Sequence, residues 1–99
     1  MVDETLHRVE LAHRYANLGD VRLHYVTAGH GPTVVLLHGW PQTWYCWRHV
    51  IPLLVDGFRI VAPDLRGLGD SSRPAGGYDT RTVASDVHRL LCEELGLDQ

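Results

Sequence analysis

The chain has 99 residues, of which 44% are hydrophobic and 21% are charged, and its net charge is −3. This balance is typical of one globular unit and excludes a disordered or fibrous protein. Basic and acidic residues are mixed along the sequence, so no basic stripe indicates nucleic acid or an anionic lipid surface as a partner. No apolar run approaches the roughly 18 residues of a membrane span, and residues 1–4 (MVDE) are not a basic, apolar export signal. We therefore expect a cytoplasmic protein.

Cysteine and histidine spacing gives no metal or disulfide pattern. Cys46 and Cys92 lack CxxC spacing, so we expect two reduced thiols, with Cys92 partly packed on a helix. Seven histidines are present, yet they contain no HExxH motif and no pair at i, i+4. His24 lies in a predicted strand, on the face opposite to Leu23 and Tyr25. We therefore predict that the six histidines other than His38 lie at the surface, and we predict no metal and no cofactor.

The first predicted elements form a hairpin. Residues 1–8 are polar and are expected to be frayed, as chain termini usually are. Two extended runs follow, residues 9–17 and 21–27, and the Gly19-Asp20 pair between them is a turn signal. We expect these runs to pair antiparallel.

An apolar run at residues 34–37 ends directly in His38-Gly39-Trp40-Pro41. The run predicts a strand buried on both faces, as in a parallel sheet. Because ligands of open α/β sheets bind beyond the carboxyl ends of the strands, the four residues should lie at the functional edge. Gly39 lets the backbone approach a ligand closely, and Pro41 fixes its own φ, which predicts a stiff loop. A strand-terminating turn without function is the alternative interpretation.

A helix and a second apolar strand are predicted next. Thr43 is a candidate N-cap, and apolar residues then recur at helical spacing at Trp44, Trp47, Ile51 and Leu54. The helix should kink or restart at Pro52, which lacks an N–H donor. We interpret the two tryptophans as core residues, with a ligand-lining pair as the alternative. Residues 58–62 predict the strand, and the strand–helix–strand order implies a parallel pair through a right-handed crossover.

The last third of the chain predicts a long loop and a helix. Asp64 falls on the same carboxyl edge as His38, and the glycine-rich residues 65–77 predict an ordered loop. Asp79 or Thr80 can cap a helix that Gly96 ends and whose apolar stripe is Val83, Val87, Leu90, Leu91 and Leu95. The predicted order is β-β-β-α-β-α, an α/β fold with one mixed sheet that begins with a hairpin and continues in parallel.

Three blocks in this order and spacing resemble the α/β-hydrolase family, within it the epoxide hydrolase and haloacid or haloalkane dehalogenase branch. They are residues 38–42 (HGWPQ), residues 61–74 (VAPDLRGLGDSSRP), and Tyr78-Asp79 leading into a helix. The resemblance runs from about Tyr15 to the end of the chain and looks like the first third of such an enzyme. It implies the N-terminal part of an α/β-hydrolase fold, a β-hairpin followed by β-α-β-α with a mostly parallel sheet, as a partial domain over residues 9–99.

The resemblance also implies roles for individual residues. Trp40 would supply one backbone N–H of the oxyanion hole, with a cis peptide before the proline. The residues that shape the loop or the substrate pocket would be His38, Gly39, Pro41 and Gln42. A structural loop with buried polar contacts would contain Asp64, Arg66, Gly67, Gly69 and Ser71, for which a phosphate-binding GxG loop is the alternative.

By the same resemblance, the proline after Trp40 indicates which class of nucleophile the parent enzyme uses. Lipases and esterases more often carry glycines there, whereas HGxP is common where the nucleophile is an aspartate. Such an aspartate attacks an sp³ carbon, opening an epoxide or expelling halide, and water then hydrolyses the ester. Trp40 departs from the asparagine of haloalkane dehalogenases, and Gln42 fits epoxide hydrolases and haloacetate dehalogenases. Epoxide opening ranks first, ahead of a haloacetate or haloalkane dehalogenase or a serine esterase.

The sequence contains neither Gly-x-Ser-x-Gly nor Gly-x-Asp-x-Gly. The nucleophile, acid and base are therefore absent from these residues, and we expect an N-terminal segment that is inactive alone. The substrate of the parent enzyme would be a small epoxide or a halogenated or ester compound. The strand containing Val34 would then have an unpaired apolar edge. The non-enzymatic alternative is a binding or complementation module that pairs through this edge with a C-terminal chain.

Overall fold

The computed structural model describes residues 9–97, so the frayed start predicted for residues 1–8 lies outside the described residues. The elements in chain order are β1 (Ala12–Asn17), β2 (Arg22–Ala28), β3 (Thr33–Val35), a 3₁₀ helix (Trp44–Trp47), α1 (Ile51–Leu54), β4 (Arg59–Pro63), α2 (Thr80–Arg89) and a π-helical turn (Leu90–Glu94). None of the described helices is long and apolar enough to cross a membrane.

The four described strands form one sheet in the order β1-β2-β4-β3. The predicted hairpin is confirmed: β1 and β2 are antiparallel, and Tyr15 lies opposite His24. The predicted parallel pair is also confirmed, with Val34 opposite Ile60 in β3 and β4. Because β2 and β4 pair antiparallel, the sheet is mixed rather than mostly parallel.

The strand that leads into the HGWP loop differs from the prediction. β3 covers only Thr33–Val35, and its three residues are half-buried. Leu37 lies beyond the strand and is 48% exposed. The prediction of burial on both faces was wrong for these residues, because an edge strand has covering neighbours on one side alone. The predicted unpaired edge agrees with the strand order, in which β4 is the one neighbour of β3 among the described strands.

Two apolar clusters pack on opposite faces of the sheet, since alternate residues of β4 contribute to each. One cluster contains Ala16, Leu18, Val21, Leu23, Tyr25, Val61 and Leu90. The other contains Leu36, Ile51, Ile60 and Ala62, and both Trp44 and Trp47 pack against it. The interpretation of the tryptophans as core residues is confirmed.

The predicted helix over residues 43–54 is two separate helices. Thr43 caps the 3₁₀ helix, because its hydroxyl oxygen accepts a hydrogen bond from the Tyr45 N–H. The chain restarts as α1 with Pro52 in the first turn, where a missing N–H costs nothing.

The last helix also departs from its predicted stripe. Asp79 is the N-cap of α2, the helix ends at Arg89, and a π-helical turn continues to Glu94. Leu90 is buried as predicted, but Val83 and Val87 are only half-buried. The buried side chain within α2 is Asp86, which the apolar pattern did not reveal.

Candidate functional site

His38 holds the loop after β3 against the end of β4. Its side chain is buried, and its Nε2 accepts a hydrogen bond from the Leu65 N–H at 3.0 Å. The ring is therefore protonated on Nδ1, which lies 2.9 Å from the Gly39 carbonyl oxygen and donates to it. The structure thus brings His38 to the residue that follows Asp64, as the shared carboxyl edge predicted.

The Gly39 carbonyl oxygen accepts a second hydrogen bond, from the Gln42 N–H at 2.8 Å. The Gln42 side chain returns the contact, because its Oε1 accepts from the Gly39 N–H at 3.2 Å. Trp40-Pro41 is the cis peptide bond of the described chain, so the peptide between Gly39 and Trp40 is trans. In a trans peptide the N–H points away from the C=O. The two donors to the Gly39 carbonyl therefore hold the Trp40 N–H pointing away from them.

No described residue accepts a hydrogen bond from the Trp40 N–H, and Trp40 is 83% exposed. Trp40 lines an apolar groove of about 690 Å³. The other lining residues come from the loop after β4 and from one side of α2, and they include Leu37, His38, Leu65, Leu68, Tyr78, Val83 and Val87. The predicted loop residues and the groove thus share one edge of the molecule.

Asp64 is almost fully buried, and each of its carboxylate oxygens is used. Oδ1 accepts from the Trp44 N–H at 2.7 Å. Oδ2 accepts from His24 Nδ1 at 2.8 Å and from the Asp70 N–H at 3.1 Å. A buried carboxylate requires such donors, because desolvation without them is costly. Asp64 therefore joins the sheet, the 3₁₀ helix and the glycine-rich loop.

Arg66 is buried against α2. Its Nε and Nη2 donate to the two carboxylate oxygens of Asp86 at 2.8 and 2.9 Å, and its Nη1 donates to the Gly76 carbonyl at 2.9 Å. The bidentate contact with Asp86 raises the pKa of the Arg66 guanidinium further above its usual range. Asp20 at the surface contacts both Arg66 and Arg89, and these two guanidinium groups lower the pKa of its carboxyl.

The remaining predicted residues pack around Asp64. Ser71 is buried, and its hydroxyl donates to the Asp64 carbonyl while accepting from the His24 N–H. Gly69 has φ of +55°, and a Cβ there would lie 2.2 Å from Asp64 Oδ2. A Cβ at Gly67 would lie 2.6 Å from the Tyr78 ring. Both glycines are therefore required by close packing as well as by their positive φ.

The prediction of surface histidines was wrong for His24, which is fully buried. The alternation in β2 placed its side chain correctly on the face opposite to Leu23, but the loop containing Asp64 and Asp70 covers that face. His24, Asp64 and Asp70 each offer a ligand atom within 4.8 Å of one another. The hydrogen bonds described above already use Asp64 Oδ2 and His24 Nδ1. We therefore interpret these three residues as a hydrogen-bonded cluster rather than as a metal site.

Asp86 is the second buried residue that the sequence interpretation missed. It lies three residues after Val83 and four before Leu90, inside the predicted apolar stripe. A carboxylate in such a stripe is rare unless a buried cation pairs with it. The position of Asp86 therefore indicated a buried cationic partner, which is Arg66 in the structure. No comparable local signal marks His24, because its partner Asp64 is 40 residues away.

Comparison with known proteins gives consistent results. Residues 32–99 match the alpha/beta hydrolase fold family. The chain is 56% identical over 90 residues to a soluble epoxide hydrolase from Corynebacterium sp. (strain C12), covering 91% of this chain and 31% of that enzyme. It is 42% identical over 83 residues to a fluoroacetate dehalogenase from Burkholderia sp., covering 79% of this chain and 27% of that enzyme.

A solved structure supports the same assignment. The epoxide hydrolase CorEH without ligand superposes with a TM-score of 0.84 at 57% identity, over 90% of this chain and 31% of that one. The chain thus spans about a third of the length of these relatives. The family match covers more than half of the chain. The chain belongs to the α/β-hydrolase fold family.

Proposed function

We propose that this chain carries the oxyanion loop of an epoxide-opening hydrolase, with the Trp40 backbone N–H as one oxyanion donor. The observation that carries the proposal is the double hydrogen bond to the Gly39 carbonyl, from His38 Nδ1 at 2.9 Å and the Gln42 N–H at 2.8 Å. It holds the Gly39–Trp40 peptide in one orientation. The N–H of that peptide is without an acceptor among the described residues, and Trp40 is one of the residues that line the apolar groove.

The reaction assigns a clear task to such a donor. A carboxylate attacks an epoxide carbon, the C–O bond breaks, and the alkoxide takes a proton, which leaves a hydroxyalkyl ester. Water then attacks the ester carbonyl, and the carbonyl oxygen becomes an oxyanion that a fixed N–H stabilises. The tetrahedral intermediate collapses to the diol and the free carboxylate. Trp40 acts in the second step, and these 99 residues contain no Gly-x-Asp-x-Gly elbow that would carry the carboxylate nucleophile.

The choice of epoxide follows the similarity to the Corynebacterium soluble epoxide hydrolase at 56% identity, against 42% for the fluoroacetate dehalogenase. Dehalogenation of a haloacetate and ester hydrolysis by a serine nucleophile stay as alternatives. The nucleophile elbow of the full-length enzyme decides between them, because it would read Gly-x-Asp-x-Gly or Gly-x-Ser-x-Gly. The cytoplasmic location also stays a prediction.

A chimera tests the role of Trp40. This chain replaces the matching segment of the Corynebacterium enzyme, and styrene oxide hydrolysis is measured. We expect Trp40→Pro, which removes the N–H, to lower kcat by about 10²- to 10³-fold relative to Trp40→Ala, which keeps it. Circular dichroism checks that both variants fold. Equal activity of the two variants would contradict the proposal. The 99-residue chain alone should give no turnover of styrene oxide or haloacetate.

The exposed edge of β3 favours a second candidate, a module that pairs with a complementing chain. β3 has one described neighbour, and Leu37, Trp40 and Tyr78, which line the same groove, are exposed. An edge of this kind accepts a further strand. The test mixes this chain with the separately expressed remainder of the Corynebacterium enzyme. A one-to-one complex on size exclusion supports pairing, and a clean monomer without complex contradicts it.

A further inference from the structure

Three side chains form a continuous hydrogen-bonded network from the surface hairpin to the buried end of β4. His13 Nδ1 lies 3.0 Å from His24 Nε2, and His24 Nδ1 lies 2.8 Å from Asp64 Oδ2. His24 and Asp64 are almost fully buried, whereas His13 is exposed. Because His24 Nδ1–H donates to the carboxylate, its Nε2 accepts from His13 Nδ1–H in the neutral pair.

The two ends of this network, Asp64 and His13, both contact Trp44, the first residue of the 3₁₀ helix. Asp64 Oδ1 accepts from the Trp44 N–H at 2.7 Å. The His13 ring packs against the Trp44 indole edge-on, with centroids 5.6 Å apart at 80°. Trp44 begins the helix that follows the HGWP loop, and the N–H groups of a first helical turn have no acceptor within the helix. Asp64 is therefore the acceptor that fixes this end of the loop.

The loop is consequently held at two points. His38 fixes its start through the Gly39 carbonyl and the Leu65 N–H. Asp64 fixes its end through the Trp44 N–H. The position of the Asp64 carboxylate depends in turn on His24, because the imidazole N–H is its one side-chain donor among the described residues.

We propose that His13, His24 and Asp64 are positioning residues for the oxyanion loop. His24 orients the Asp64 carboxylate, His13 orients His24, and Asp64 holds Trp44 so that the preceding loop keeps the Trp40 N–H in place. The inference rests on the proposed function for the significance of Trp40, whereas the coupling of the three side chains to Trp44 is independent of it.

Two substitutions of His24 separate positioning from simple packing. The side-chain amide nitrogen of asparagine occupies the position of imidazole Nδ1. The side-chain amide nitrogen of glutamine occupies the position of imidazole Nε2. His24→Asn therefore keeps the donor to Asp64, and His24→Gln moves it away. NMR measures amide hydrogen exchange in the 99-residue chain. The exchange rate of the Trp44 N–H is divided by the mean exchange rate of the amides that pair β2 with β4. This ratio corrects for any change in global stability.

We expect His24→Gln to raise this ratio by about tenfold or more, as for loss of a hydrogen bond to a charged group. His24→Asn should restore it to within about twofold of the original chain, and His13→Ala should give an intermediate ratio. His30→Gln is the matched control, since His30 is exposed and takes no part in the hydrogen bonds that join His13, His24 and Asp64. It should leave the ratio unchanged. Equal ratios in His24→Gln and His24→Asn would overturn the proposal.

The values of kcat and KM in the chimera test whether the hydrogen-bonded network affects the reaction. His24→Gln should lower kcat for styrene oxide with little change in KM, and His24→Asn should recover most of it. A raised exchange ratio at Trp44 without a fall in kcat would overturn the positioning role. Failure of the proposed function gives a different pattern, in which Trp40→Pro and Trp40→Ala are equally active while the Trp44 exchange still responds to His24.

Discussion

Asp86 and Arg66 show how a single buried pair connects α2 to the loop after β4. The carboxylate and the guanidinium make a bidentate contact at 2.8 and 2.9 Å, and both residues are buried. Removing one partner of such a pair leaves the other charge buried without compensation. Among the described residues, Arg66 keeps the Gly76 carbonyl and the exposed Asp20 as partners when Asp86 is absent.

We therefore expect Asp86→Ala to lower the free energy of unfolding by about 3–5 kcal/mol, a large part of the stability of a small domain. Urea unfolding followed by circular dichroism measures this change. Ser85→Ala is the control, since Ser85 is an exposed neighbour in the same helix and its loss should have little effect. Similar stabilities of Asp86→Ala and Ser85→Ala would contradict the role of the ion pair.

At the scale of elements, α2 begins at a charged cap. The Asp79 carboxylate accepts from the Thr82 N–H at 3.0 Å and from the Thr82 hydroxyl, and these hydrogen bonds lower the pKa of Asp79 below 3.8. A lowered pKa in the folded state means that the ionised form is stabilised by folding. The contribution of Asp79 is therefore fully present above pH 3.8 and is lost as the pH falls below it.

Asparagine caps a helix about as well as aspartate but does not titrate in acid. We therefore expect the thermal stability of Asp79→Asn to decrease less than that of the original chain between pH 5 and pH 3, because one acid-sensitive contribution is gone. Thermal unfolding at 222 nm across this range measures the difference. Parallel losses in both proteins would show that Asp79 does not contribute to the acid response.

At the scale of the whole molecule, the strand order leaves an apolar edge exposed. β3 is the last described strand beside β4, and Leu37 and Trp40 follow it with exposed fractions of 48% and 83%. The backbone of an edge strand offers free hydrogen-bonding groups, and natural edges are usually protected by lysine or proline. The described edge contains neither within Thr33–Val35.

The isolated chain should therefore self-associate through this edge. We expect Leu37→Lys to shift it toward monomer in sedimentation velocity at micromolar to millimolar concentration, because a charge opposes edge pairing. Leu53→Lys is the matched control: Leu53 is 78% exposed but belongs to α1. It should leave the distribution unchanged. Association that responds equally to both substitutions would indicate nonspecific apolar contact.

Local pattern was sufficient for the elements whose signals lie close together in the chain. The Gly19-Asp20 turn specified the hairpin, the apolar runs around residues 34 and 60 specified the parallel pair, and Asp79 specified the start of α2. Pro52 indicated a helix break, but not that the first half would be a 3₁₀ helix. Such signals are local because turns, caps and helix breaks depend on a few neighbouring residues.

The amino-acid sequence by itself determined the order of elements, the HGWP and DxRGxGxS blocks and the resemblance to α/β hydrolases, since these follow from residue type and spacing. Only the tertiary structure decided that His24 is buried against Asp64, that Asp86 receives Arg66, and that β2 pairs antiparallel with β4. The physical reason is distance along the chain. Burial and pairing of a polar group depend on partners 20 to 40 residues away, and strand order is a property of the assembled sheet.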